Sequence, residues 1–146
     1  MDENFLISID GFQLVDQSDD KVSLQTLGSY EILKDEKTVK FYEYDPDFPE
    51  KKTLSKLIIS KNDMITFIKD GPIKSQLILQ KGERHICNYT TQLGSLNIGT
   101  YTDKVSIDLD QNGGKIYAEY TIDINSSVTS HNKIYVTIQK VGEDSV

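Results

Sequence analysis

The chain has no tryptophan, one cysteine and few cations. Nowhere does it hold the ~18 consecutive apolar residues that a membrane-spanning helix needs. Each shortage excludes something. The single thiol, Cys87, has no partner for an internal disulfide, so packing and hydrogen bonds must hold the fold. Lys and Arg number 16 against 23 Asp and Glu, a net charge of −7. A nucleic-acid partner needs a positive field, and so does an anionic membrane surface; neither is expected. The densest basic cluster, "EKKTLSK", is short and interrupted. The opening "MDENFLISIDGF" carries two acids and no basic residue, and its apolar run breaks at Asp10. That pattern is neither a signal nor a transit peptide, so a cytoplasmic protein is expected. Phosphate-cradling glycine motifs are missing too: "NIGTYT" and "QNGGKI" are glycine-poor and open onto no helix. No Gly-x-Ser-x-Gly elbow occurs.

What the chain does have is alternation. At 146 residues and 37% hydrophobic content it reads as one folded domain, 1–146, with 141–146 as a frayed tail. Apolar residues recur with period two in "FLISID", "KVSLQTL", "TVKFYEY", "KLIIS", "DMITFI", "SQLILQ" and "ERHICNYTT". The pattern continues in "LNIGTYT", "KVSIDLD", "KIYAEYTIDI" and "KIYVTIQ". Turn signals separate them: "SKND", "KDGP", "QKGE", "QLGS", "DQNGG" and "INSS". "DQSDDK" and "YDPDFPE" read as acidic loops. Only "DFPEKKTLSKLI" carries helix-start signals, and the "LIIS" that follows reads as strand. Many short strands joined by short links predict an all-β, antiparallel, up-and-down barrel of about 8–10 strands. A Greek-key sandwich is the alternative.

One stretch needs a decision. "DLDQNGGKIYAE", Asp108 to Glu119, matches the EF-hand calcium loop at Asp108, Asp110, Asn112, Gly113 and Glu119. Such a loop lies between helices, whereas both flanks here alternate as strands. A β-hairpin explains the same residues. With Asn112-Gly113 at the centre of a type I′ turn, Leu109 faces Ile116, Ile107 faces Ala118 and Val105 faces Tyr120. The apolar partners then share one face, and Asp108, Ser106, Tyr117 and Glu119 the other.

Several segments in order resemble a known family. They are "ISIDGFQ", "TLGSYEI", "KFYEY", "GPIKSQLILQKGERHICNYTTQLGSLNIGTYTDKV" and "YTIDINSSVTSHNKIYVTI". Together they are similar to the YwiB-like family of uncharacterised bacterial proteins, which have a calycin-type (lipocalin-like) β-barrel. Where that family usually shows Thr-Pro-Tyr-Gly, this chain has Thr91-Gln92-Leu93-Gly94. The resemblance implies a closed antiparallel barrel and no established activity. Calycin-type barrels suggest a small apolar ligand by fold analogy alone.

Candidate site residues come from "GERHICNY". Arg84, Ile86, Asn88 and Thr90 share one strand face; His85, Cys87, Tyr89 and Thr91 share the other. Arg84, His85, Asn88 and Tyr89 are therefore expected to line a polar pocket or barrel mouth. A histidine and tyrosine hydrogen-bonded at a barrel end would also explain them, and that plainer reading is favoured, because a polar residue needs only a satisfied partner to be tolerated. Cys87 and His85 lie ~7 Å apart along a strand, with no third group to orient a nucleophile, so a buried structural cysteine is expected. His85 and His131 are far apart in sequence, and Asp123 falls with Glu119 and Thr121 on an outward, solvated face. No metal, cofactor or catalytic residue is expected. Tyr117 and Tyr135, also outward, suit either a protein interface, including a homodimer, or plain strand propensity. The expected function is non-catalytic binding of a small molecule in the barrel mouth or lumen. A protein–protein interaction module is the alternative, and an enzyme comes last.

Overall fold

The computed structural model describes residues 2–142. Of the expected tail, 143–146 lie outside the described residues, while the Val141 amide donates to the Asn4 carbonyl at 2.8 Å. Ten strands follow one another: β1 (Phe5–Val15), β2 (Ser18–Leu33), β3 (Glu36–Tyr44), β4 (Lys52–Ile59) and β5 (Ile65–Asp70), then β6 (Lys74–Leu79), β7 (Arg84–Thr91), β8 (Gly94–Asp110), β9 (Gly113–Ile124) and β10 (Ser127–Lys140). Each pairs antiparallel with the next, and β1 pairs with β10, which closes the barrel. This is the up-and-down topology that the short links predict. The segment with helix-start signals is a loop running into β4.

The period-two pattern decides which side chains fill the barrel. Along β3, Val39 and Phe41 point inward and are buried, while Lys40 and Tyr42 between them do not. On β4, Ser55, Leu57 and Ile59 point inward in the same way. One end is packed solid by Ile7, Val39, Leu57, Ile65, Leu79 and Val136, each no more than 1% exposed. Phe5 and Tyr30 meet edge to face there, centroids 5.2 Å apart, and the Tyr30 hydroxyl donates to the Asp110 carbonyl at 2.8 Å. Packing of this density makes that end a floor.

The strands are unequal. β2, β8 and β10 run 16, 17 and 14 residues, whereas β5 and β6 have six each. The long strands β8, β9, β10, β1 and β2 form a tall half-barrel, and β3 to β7 a short one. The two halves join through incomplete ladders. β2 meets β3 only from Ser29↔Lys40 to Leu33↔Glu36, so β2 has no ladder partner on that side from Ser18 to Gly28. β6 meets β7 only at Lys74↔Thr90 and Ser75↔Tyr89. Below that point side chains replace the ladder. The Ile78 amide donates to the Cys87 sulfur at 3.3 Å, and the Thr100 hydroxyl donates to the Ile78 carbonyl at 2.6 Å. Cys87 is thus buried and structural, as expected, and it closes a seam.

Three sequence expectations change. "DQSDDK" is not a loop: only Asp16-Gln17 turn, and Ser18 onward belongs to β2. "LNIGTYT" and "KVSIDLD" are one strand, β8, whose apparent break is a bulge between Thr102 and Lys104. The Asp108–Glu119 segment is a hairpin with Leu109 and Ile116 on the same inward face, but its register is two residues from the predicted one. Ile107 pairs with Ile116, Val105 with Ala118 and Asp110 with Gly113, so Gln111-Asn112 form the turn. The cause is the glycine pair. Cβ atoms at Gly113 and Gly114 would strike the carbonyl oxygens of Ile138 and Asp108, so both glycines are needed where strands approach closely. Asp110 fixes the turn by accepting the Asn112 amide at 2.8 Å. A turn with both central residues at positive φ occurs instead at Asn125 and Ser126, φ 53° and 69°.

Candidate functional site

Above the packed floor the two half-barrels separate around a cavity of about 330 Å³. Ile9, Leu24 and Ile134 from the tall half face Phe41, Phe67 and Leu77 from the short half across it. The wall is apolar because the inward phase of these strands stays hydrophobic until close to their ends. A volume of this size lies at the lower end of the range for small-molecule sites. Gly11 leaves room on the tall side, since a Cβ there would meet only the Val22 carbonyl, at 3.9 Å.

Polar groups gather at the rim of the short half. Glu43, Ser55 and Lys69 lie on β3, β4 and β5, all in the inward phase. One carboxylate oxygen, Glu43 Oε2, accepts the Ser55 hydroxyl at 2.6 Å and lies 3.3 Å from Lys69 Nζ. The carboxylate is 30% exposed and the ammonium 49%, so the pair sits at the mouth, within reach of water. On the tall half Tyr120 lines the cavity, and its hydroxyl makes no hydrogen bond among the described residues. Burial pushes this phenol up to about 12, so it is protonated at neutral pH. Its cross-strand neighbour Thr102 is fully buried, and the Thr102 hydroxyl also has no partner among the described residues. A larger concavity, about 560 Å³, lies at the far end of the tall half, where outward Phe12, Lys21 and His131 and inward Asp20, Tyr120 and Asn132 all border it. Its walls are more polar and more charged than those of the lumen, which offers the larger apolar surface to a ligand.

The four residues expected from "GERHICNY" do not converge. Tyr89 lies in the inward phase at the mouth and lines the cavity. Asn88 also lines it, at the point where the β6–β7 ladder stops, and accepts the Thr90 hydroxyl at 2.8 Å. His85 is held lower down by Gln80, with His85 Nε2 and Gln80 Oε1 2.9 Å apart. Arg84 is on the outer face and grips Asp123 through two bonds, Nη2 to Oδ1 at 2.6 Å and Nε to Oδ2 at 3.0 Å. Asp123 is therefore not the solvated surface acid that its phase predicts: its side chain is only 8% exposed. Gly99 makes the pair possible, because a Cβ there would collide with the Arg84 guanidinium and the Asp123 carboxylate. Tyr117 and Tyr135 do face outward, with rings 4.5 Å apart, and Phe12 meets Tyr135 edge-on at 5.9 Å.

Residues 7–136 match the domain of unknown function designated DUF1934. The chain belongs to the DUF1934 family. Among solved structures, the YwiB protein from Bacillus subtilis superposes with a TM-score of 0.82, covering 94% of this chain and 92% of that one at 17% identity. Identity that low speaks for the fold alone, and it agrees with the closed ten-stranded barrel. No functionally curated protein matches this DUF1934 chain.

Within the DUF1934 barrel the sequence reading missed Glu43, Ser55 and Lys69. Their signal was present: Val39-x-Phe41-x-Glu43 and Ile65-x-Phe67-x-Lys69 each end an inward apolar series on a charge, and the two charges are opposite. The Arg84–Asp123 pair yields a test by pH. Hydrogen bonds from Arg84 hold the Asp123 carboxyl below its ordinary range, against the opposing effect of burial. A depressed folded-state value means that the stabilisation is complete above the unfolded-state value, and it is lost as pH falls through the folded one. Stability of the wild type should therefore decline below about pH 4. Asp123→Asn should flatten that decline, as read from urea midpoints across the acid range. Parallel declines in the two proteins would remove the pair from the account.

Proposed function

We propose that this DUF1934 protein is a non-catalytic carrier or sensor that holds a small, largely apolar molecule in its lumen. The observation that carries the reading is the cavity between the two half-barrels, lined by hydrophobic side chains on both sides above a fully packed floor. Burying a ligand's apolar surface there contributes roughly 25 cal/mol per Å² before the losses of association. The closed meander with an internal cavity supports a calycin-type relationship and the ligand-holding role that goes with it. Binding is favoured over turnover because the charged groups of the lumen saturate one another: both Ser55 and Lys69 are directed at Glu43 Oε2. A cytoplasmic location is part of this reading, and a chain with one cysteine and no internal disulfide is compatible with it.

Titration with the neutral fluorophore N-phenylnaphthylamine tests it, alongside native mass spectrometry of protein taken from its own host. The wild type should bind one equivalent. Gly11→Leu fills the cavity from a strand position without positive φ and without a backbone collision at Cβ. It should weaken binding about tenfold or more while thermal stability is kept. Unchanged fluorophore affinity in a folded Gly11→Leu protein would place the binding elsewhere and sink the proposal.

A further inference from the structure

The lumen is marked as much by its charge balance as by its apolar wall. Lys69 is the cation of the rim, and it is already committed to Glu43 at 3.3 Å. A second acid, Asp20, pairs with Gln13 in the inward phase of β2 and lines the recess next to the cavity, together with Gly11, Val22 and Tyr120. The charged side chains that line the cavity itself are thus Glu43 and Lys69, which pair with each other, while Asp20 and Lys133 carry opposite charges in the recess beside it. An anionic head group would approach a lysine whose charge is already met by Glu43. It would lose its hydration without gaining a counter-ion. An ammonium head would meet a carboxylate whose charge is likewise spent, with Lys69 beside it. Neither penalty falls on a head group without charge. The lumen also offers what such a head group needs: the hydroxyl of Tyr120, which lines the cavity and makes no hydrogen bond among the described residues. Once a ligand covers that hydroxyl, it needs a neutral donor or acceptor in place of water. Because Tyr120 stays protonated at neutral pH, it can donate as well as accept.

We infer that the lumen selects an amphiphile with an uncharged hydrogen-bonding head, such as an alcohol, amide or carbonyl on an apolar chain, over the matching carboxylate or ammonium. This rests on the lumen being the binding site. The selectivity comes from the Glu43–Lys69 pair, whose internal neutralisation leaves neither charge free for a ligand.

The test is isothermal titration of the full chain with decanol, decanoate and decylammonium, which share one chain and differ in head group. At neutral pH and low salt, decanol should bind about tenfold or more tightly than decanoate, and also more tightly than decylammonium. Glu43→Gln keeps the shape and an oxygen for Ser55 but frees the Lys69 charge. It should move the decanoate-to-decanol affinity ratio about tenfold toward decanoate. Lys69→Gln should move the decylammonium-to-decanol ratio the opposite way, toward the ammonium, and gives an independent reading if Glu43→Gln does not fold. The inference is overturned if decanoate or decylammonium matches decanol on the wild type, or if neither substitution shifts its ratio. Its failure is separable from that of the carrier role. Three chains that all bind and all weaken in Gly11→Leu, but in a different order, overturn only the head-group selectivity. Three chains that do not bind overturn both.

Discussion

Gly28→Val should be the most damaging single substitution at the closed end of the barrel. A Cβ at Gly28 would fall on the carbonyl oxygen of Lys40, with Ile7 Cδ1 at 2.5 Å and Phe41 Cβ at 3.1 Å. Two of these neighbours are core side chains and the third is backbone, so no flexible end can swing away. The collision also comes one residue before Ser29↔Lys40, the pair that begins the β2–β3 ladder. The added bulk would therefore push β3 away from the place where the tall and short half-barrels are joined. Overpacking of a tight interior costs about 1–3 kcal/mol, occasionally more, and this site should sit at the top of that range. Against a typical total of about 5–15 kcal/mol the loss is large. Thermal melts followed by far-UV circular dichroism should show Gly28→Val far below the wild type, with Gly28→Ala between them. A Gly28→Val protein that melts with the wild type would mean the strands approach less closely than described.

Leu57→Ala should destabilise by about 2–5 kcal/mol, the span seen when a buried leucine is cut to alanine. Leu57 is 0% exposed and lies between Val39 and Phe67 on the neighbouring strands, so no solvent-exposed loop is available to collapse into the gap. It also lies one inward step below Ser55, which lines the cavity, so the void would open from the floor of the lumen. Urea denaturation should show a lower midpoint with an unchanged slope, as expected for lost stability rather than a changed unfolded state. The same variant should accept a longer apolar chain than the wild type does. A loss under about 1 kcal/mol would contradict the packed floor.

Much of this architecture was legible in the residues, because period-two alternation is a local signal. Val39, Phe41, Leu57 and Ile116 announce their inward phase whatever the rest of the chain does. The same alternation placed Leu109 with Ile116 and set aside the calcium loop. Register was less legible. Asn-Gly is the strongest short hairpin signal and points to Gly113 as a turn residue, whereas the fold spends that glycine where β9 nears the carbonyl of Ile138 on β10, a neighbour far away in sequence. The bulge at Asp103 was hidden for a similar reason: polar residues between two apolar runs look alike in a loop and in a continuous strand. Of the candidate site, Asn88 and Tyr89 border the cavity, but Arg84 belongs to an outer ion pair that exists only because Gly99 lets it cross to Asp123. Contacts of that kind join strands that no local window can bring together. The Glu43–Lys69 pair, by contrast, could have been read from two inward series ending on opposite charges.

From Ser18 to Gly28 the outer rim of β2 presents amide hydrogens and carbonyl oxygens that no neighbouring strand among the described residues takes up. Such a border is a template on which another polypeptide can assemble, the first step of runaway polymerisation. Asp19, Asp20 and Lys21 line its outermost stretch and oblige any incoming chain to desolvate three charges in succession. That acid-rich stretch thus helps to keep concentrated protein from joining side by side, and it guards the flank of the molecule that hydrogen bonding leaves open.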